Sequence, residues 1–172
     1  MNIPKWLMII LIAVIVVCLL LTVWAVFFRN PADKPITPDY APIEKDENAE
    51  KIEGDSGDKM EASEGGGAVS ISFSDEISVD ISEKRVSLYF ANPGKSLQDM
   101  VLQVVIQDEI IVQTGTIAPG MQIRKASLLN KIENRLSEGI YNGKLVVLYY
   151  DTETGERAMI STEIPVTITV ND

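Results

Sequence analysis

The stretch "LSEGIYNGKLVVLYYD", Leu136 to Asp151, decides how the C-terminal part of this chain folds. From Tyr141 onward, Leu145, Val147 and Tyr149 return at period two, while Lys144, Val146, Leu148 and Tyr150 fill the alternate positions. A period of two sorts side chains onto the two faces of a β-strand. Three tyrosines in sixteen residues raise a second question, whether they form a chemical site or support a scaffold.

The same pattern repeats on either side. "VSISFS" (69–74), "ISVDIS" (77–82) and "RVSLYFA" (85–91) are short, β-branched runs, and "NPG" (92–94) ends the third with a turn. "DMVLQVVIQ" (99–107) and "IIVQT" (110–114) predict a hairpin, and "GTIAPG" (115–120) leads into "MQIRKASLL". After "GKLVVLYYD" the turn "TETGE" returns the chain through "AMISTEIPVTITV", where Ile160, Thr162, Ile164, Val166, Ile168 and Val170 share one face. Pro165 in that run marks a bulge or an edge segment, because it cannot donate to a ladder. Seven or eight short strands over 69–172 predict an all-β domain, an antiparallel sandwich.

"LSEGIY" places Leu136, Gly139 and Tyr141 just before the strongest strand. This resembles the tyrosine corner of immunoglobulin and fibronectin type III sandwiches. The resemblance implies an immunoglobulin-like β-sandwich and a structural role for Leu136, Gly139 and Tyr141, with the phenol bonded to upstream backbone. The domain departs from the antibody pattern in having no cysteine pair and no tryptophan, since Trp6 and Trp24 both lie near the N-terminus.

If Tyr141 points inward, Met100, Leu102, Val104 and Ile106 of the preceding strand do so as well. The outer face then gathers Val101, Val105, Val146, Leu148 and Tyr150. An apolar patch on a solvated face marks a partner site, so these five residues are the candidate protein-binding surface. The plainer reading makes them ordinary, partly buried strand residues.

The N-terminus carries a different signal. Residues 1–5 are short and hold Lys5; Trp6 to Phe28 is a run of 23 residues with no charge. A helix of that length spans roughly 34 Å, enough to cross a hydrocarbon core, with aromatic residues at both ends. It exceeds a secretory h-region and reads as an uncleaved anchor. Basic residues flank both ends almost equally, so orientation rests on the acidic segment and β-rich domain beyond the span. A stalk and domain of that kind are typical of a displayed ectodomain, and the expected topology puts the C-terminal domain outside the plasma membrane. Cys18, the sole cysteine, reads as a small apolar residue of the span.

Arg29 to Ala68 shows no hydrophobic periodicity. It opens with prolines at 31, 35, 38 and 42 and holds eleven acids against five bases, a net of −6. Such a composition predicts a disordered spacer. The whole chain carries −10, which argues against nucleic acid.

There is no histidine, and the one thiol lies in the apolar run. The usual nucleophile–base pairs and the usual imidazole or thiolate metal sites are therefore missing. Carboxylates remain in Asp108 with Glu109, and in Asp151 with Glu153 and Glu156, but all sit in expected hairpin turns. We expect no enzyme, no cofactor and no metal. The absence of disulfides and of N-x-Ser/Thr sequons points to a bacterium, and the layout resembles small bitopic surface proteins of Gram-positive cells. The expected partners are membrane lipid, through the helix, and another surface protein, with the chain an accessory of a larger envelope assembly. A module for cell-wall glycan is the rival reading; it needs exposed aromatic rings, and only Tyr150 is well placed.

Overall fold

Two-residue turns and capped loops divide the C-terminal part into nine strands in the computed structural model, which describes residues 6–8, 14–20, 22, 37–55, 57–62, 67–130 and 132–172. They are β1 (Glu50–Lys51), β2 (Ser72–Phe73), β3 (Glu76–Asp80), β4 (Arg85–Asn92), β5 (Gln98–Ile106), β6 (Glu109–Gln113), β7 (Met121–Ser127), β8 (Gly139–Asp151) and β9 (Arg157–Asn171). The connections have local causes. Gln107 and Asp108 adopt φ of 50° and 62°, the left-handed pair of a tight hairpin between β5 and β6. Asp151 caps the β8–β9 turn, its carboxylate accepting from the N–H groups of Glu153 (2.9 Å) and Thr154 (2.7 Å).

The protein is mostly β, and the sheet is mixed. Its strand order is β1-β7-β4-β3-β9-β8-β5-β6, with β2 paired to β4. An all-antiparallel sandwich is therefore corrected at one strand. β3 runs antiparallel to β4 but parallel to β9, from Glu76 opposite Thr167 to Asp80 opposite Asn171. By pairing on both sides it joins the two halves into one sheet. That sheet curls round a single core, in which Val86, Phe90 and Ile123 from one half meet Leu102, Val104, Leu145, Val147 and Ile168 from the other. Face sorting in β5 and β8 follows the alternation: Met100, Leu102, Val104, Ile106, Leu145, Val147 and Tyr149 all join this core.

Gly143 is needed where it stands. A Cβ there would run into the Ile168 side chain and approach the Val105 carbonyl oxygen to 2.7 Å. Only glycine admits so close a crossing.

The acidic segment differs most from its expectation. The compact unit begins at Pro35, not at Val69. Residues 37–55 run along the sheet as a strap held by backbone groups. Arg157 N–H donates to the Asp39 carbonyl (2.9 Å) and Ala41 N–H to that of Gly155 (2.8 Å). Thr116 donates its hydroxyl to the Pro42 carbonyl (2.7 Å), and the Asp46 carboxylate accepts from Gly115 N–H (2.9 Å). β1 then pairs with the edge of β7, where Glu50 accepts from Gln122 and Arg124, both at 3.0 Å. Asp55 closes the strap by accepting from Gly94 N–H of the "NPG" turn at 2.5 Å. Composition failed to show this because the strap buries few side chains of its own. Its acids act as acceptors for loop N–H groups, a use that net charge does not reveal.

At the N-terminus, residues 6–8, 14–20 and 22 are helical and exposed, and Thr22 donates its hydroxyl to the Cys18 carbonyl (2.7 Å). Among the described residues no helix is long and apolar enough to cross a membrane. The rest of the 6–28 stretch, together with residues 1–5 and the start of the acidic segment, lies outside the described residues.

Candidate functional site

The outer face of β5 and β8 splits into two ends. At the first, Val101 and Tyr150 are 0% exposed and Leu148 4%, forming a small cluster of their own with Ala41 and Val146 packed against it. The cover is the strap. Pro38 offers its carbonyl to the Tyr150 hydroxyl (3.0 Å), and this buried phenol is pushed above its ordinary pKa by desolvation. The structure thus brings three of the five candidate patch residues together but closes them under the same chain. Their expected exposure is corrected.

The second end stays open. Val105 and Val146 lie beside a concavity of about 490 Å³ lined by Val105, Gln107, Asp108, Lys144, Glu163 and Pro165, and a second, against Thr37, Val146 and Ser161, shares Val105, Asp108, Lys144 and Glu163 with it. The Lys144 ammonium and the Glu163 carboxylate meet across it at 3.0 Å. Val105 itself is buried and Val146 half-buried, so what this end presents is mainly a polar rim over a narrow apolar floor.

Beside the groove lies the edge of β9. Its C-terminal part is covered by β3, which pairs with Thr167–Asn171. At its start Arg157 is bonded to the strap. Among the described residues no strand pairs with 158–166 on the side away from β8. The backbone direction is set by the register. Thr167 N–H donates to Asp75 (2.8 Å), so odd-numbered residues of β9 point their N–H and C=O groups away from β8. The pairing with β8 runs unbroken from Gly139 opposite Val170 to Leu148 opposite Ser161. Ser161, Glu163 and Pro165 therefore face outward, and the N–H that Pro165 lacks is one no ladder uses. Of the two sequence readings for Pro165, the edge holds.

A register shift between Leu148 and Tyr150 sets three residues of β9, Ala158 to Ile160, opposite Tyr149. This bulge takes Ile160 off the inward face expected from alternation and leaves it 69% exposed beside a fully exposed Met159.

Leu136, Gly139 and Tyr141 form the corner at the start of β8. The Tyr141 hydroxyl donates to the Ser137 carbonyl at 2.9 Å, Leu136 packs on the core, and Gly139 holds a φ of +153° that side chains rarely adopt. Tyr141 thus has a backbone partner four residues upstream.

The carboxylate pairs are engaged in turns. Glu109 is ion-paired with Arg135. Asp151 is held below the usual carboxylate range by the N–H groups of Thr154 and Glu153 and the Thr154 hydroxyl, so it is a turn cap. Among the described residues no cluster of His, Cys, Asp or Glu could hold a metal ion. Sequence reasoning missed the strap anchors Asp39, Asp46 and Asp55; the one hint was "DYAPI" (39–43), an apolar interruption within the acidic run. It also missed the outward backbone of Ser161 and Glu163, which Pro165 had signalled. No protein-family model matches the chain, and no curated protein matches it.

Proposed function

We propose that this chain is a single-pass, membrane-anchored, non-catalytic protein that presents an immunoglobulin-like β-sandwich outside a bacterial plasma membrane and binds another protein there, as an accessory of a larger envelope assembly. The observation that carries the reading is the edge of β9 from 158 to 166, which among the described residues has no strand beside it and where Met159 and Ile160 are exposed. An open edge with large apolar side chains is a template for strand addition.

The anchor is supported by the described residues of 6–22, which are exposed and, Thr22 apart, without a polar side chain. Apolar helical surface of this kind is matched by lipid. The sandwich description is supported by the pairings β3–β4–β7 and β5–β8–β9, the order in which strands A, B, E and C, F, G pair in immunoglobulin domains. The glycan alternative loses its platform, because Tyr150 is buried beneath Pro38.

The test is a photo-crosslinking residue at position 159, with one at Lys125 on the far half of the sheet as control, in the full chain expressed in intact Gram-positive cells. A discrete protein adduct at 159 and none at 125 supports the reading. Equal or absent adducts at both positions reject it. Protease added to wall-stripped cells should remove the domain; full protection would reverse the topology.

A further inference from the structure

We infer that the open edge of β9 takes an extended segment of another protein in which apolar and basic residues alternate, an inference that rests on the protein-binding reading above. The slot has fixed ends. The strap closes it at Arg157, and β3 closes it at Thr167. Five to seven residues of added strand, roughly 20 Å at 3.3 Å per residue, fit between them.

The polarity of the slot is set by its backbone and its neighbours. Ser161 and Glu163 offer both N–H and C=O to the incoming strand, and Pro165 offers a carbonyl only. On the core side the newcomer would lie beside Thr162 and Ile164, each half-buried and opposite the core residues Val147 and Leu145. Apolar side chains on that face would complete their burial. On the outer side it would meet Ser161 and the exposed Glu163.

Charge at the two ends then selects the partner. Asp39 and Glu156 flank the strap end, and Asp75 and Glu76 flank the β3 end, all exposed. Against these, Arg157 is the sole base between 157 and 166, and Lys144 is already paired with Glu163. A strand with lysine or arginine at its ends meets the acids that outnumber Arg157 there, and a base on its outer face can share Glu163 with Lys144. A second copy of this chain would bring the same acids into register, on a molecule that carries −10, so self-pairing is disfavoured.

The test uses the full chain in phosphatidylcholine nanodiscs and two seven-residue peptides, one alternating lysine and valine, the other glutamate and valine. The lysine peptide should slow amide exchange at Ser161 and Glu163 and bind at least about tenfold more tightly than the glutamate peptide. Ser161→Pro removes an outward N–H while leaving the β8 ladder intact, so it should weaken lysine-peptide binding about tenfold with unchanged melting. Equal binding of both peptides, full binding by Ser161→Pro, or protection elsewhere overturns the inference. If Ser161→Pro also lowers the melting temperature, amide exchange in the unmodified protein decides alone. A peptide-free dimer that Ser161→Pro dissolves would assign the edge to a second copy instead. Failure here with the position-159 adduct intact sinks the basic strand only; loss of that adduct sinks the protein-binding reading itself.

Discussion

The two ends of one outer face use the same alternation differently. Toward Tyr150, the apolar side chains of β5 and β8 vanish beneath residues 38–41. Toward Lys144 the face opens into a groove, and among the described residues the neighbouring β9 has no strand on its far side between 158 and 166. Alternation reports that a face is apolar. It does not report what covers it, and here the cover of one end comes from a segment far upstream in the chain.

The contrast breaks most readily at Leu148. An exposed Leu148 would let Leu148→Lys with Val146→Thr leave the fold intact. Buried under the strap, the same change puts an ammonium where Tyr150 and Val101 pack, and we expect Leu148→Lys alone to cost about 3–5 kcal/mol. Urea unfolding measures it. A midpoint within error of the unmodified protein would mean that the strap does not cover this end.

How much of this was legible in the sequence divides along physical lines. Strand existence and the inward set of β5 and β8 were legible, because a side-chain period of two survives any sheet topology. The parallel β3–β9 pair was not, since alternation is the same whether a neighbour runs up or down. Ile160 was misplaced by a bulge, which lifts a residue off its face without a compositional mark. The strap was hidden most deeply. Its hold consists of backbone carbonyls at Pro38, Asp39 and Pro42 and carboxylates at Asp46 and Asp55, groups that an acidic, proline-rich run offers equally when unfolded. The patch on Val101, Leu148 and Tyr150 was correctly grouped, and its cover went unseen for the same reason.

At the open end the equivalent probe is Gly143. It lies in the groove lining, and an added Cβ would press on Ile168 and on the Val105 carbonyl. Gly143→Ala should therefore cost about 1–3 kcal/mol, by overpacking, not by loss of cover. Thermal melting of the variant checks it. A neutral result would require β5 and β8 to separate at this point, which a changed amide-exchange pattern at Val105 and Ile106 would reveal.

Two tyrosines sharpen the comparison at the level of one atom. Tyr150→Phe removes the hydroxyl that reaches Pro38, while Tyr141→Phe removes the one that reaches Ser137. Each bond is worth about 0.5–1.5 kcal/mol. The half-buried Pro38 carbonyl should put Tyr150→Phe at the upper end and the exposed corner bond should put Tyr141→Phe at the lower end. The variants differ in where the loss appears. Tyr150→Phe should speed amide exchange at Ala41 and Arg157, whereas Tyr141→Phe should shift the urea midpoint without touching those amides. An unchanged midpoint and slope for Tyr141→Phe would mean that the phenol makes no such bond.

The smallest effect belongs to Asp55, and it reports whether acid loosens the strap. Its carboxyl is held below the ordinary value of 3.8, first by the Gly94 N–H and then by that of Gly57. A depressed folded pKa means that the unfolded chain binds the proton more readily. The stabilisation is therefore fully present above the unfolded value and disappears as the pH falls through the lower folded one. Because the group lies at the surface in a single loop contact, the global midpoint should scarcely move; the readout is local. Gly94 amide exchange, corrected for its intrinsic rate, should be slow near neutrality and lose protection below about pH 3.8. Asp55→Asn should remove that acid step and lower the protection above it, since a neutral amide oxygen is a weaker acceptor than a carboxylate. Asp151, lowered by its own turn N–H groups, should keep its acid step at Thr154 in the same variant. If both steps vanish together, the acid response is global unfolding and the strap has no independent release.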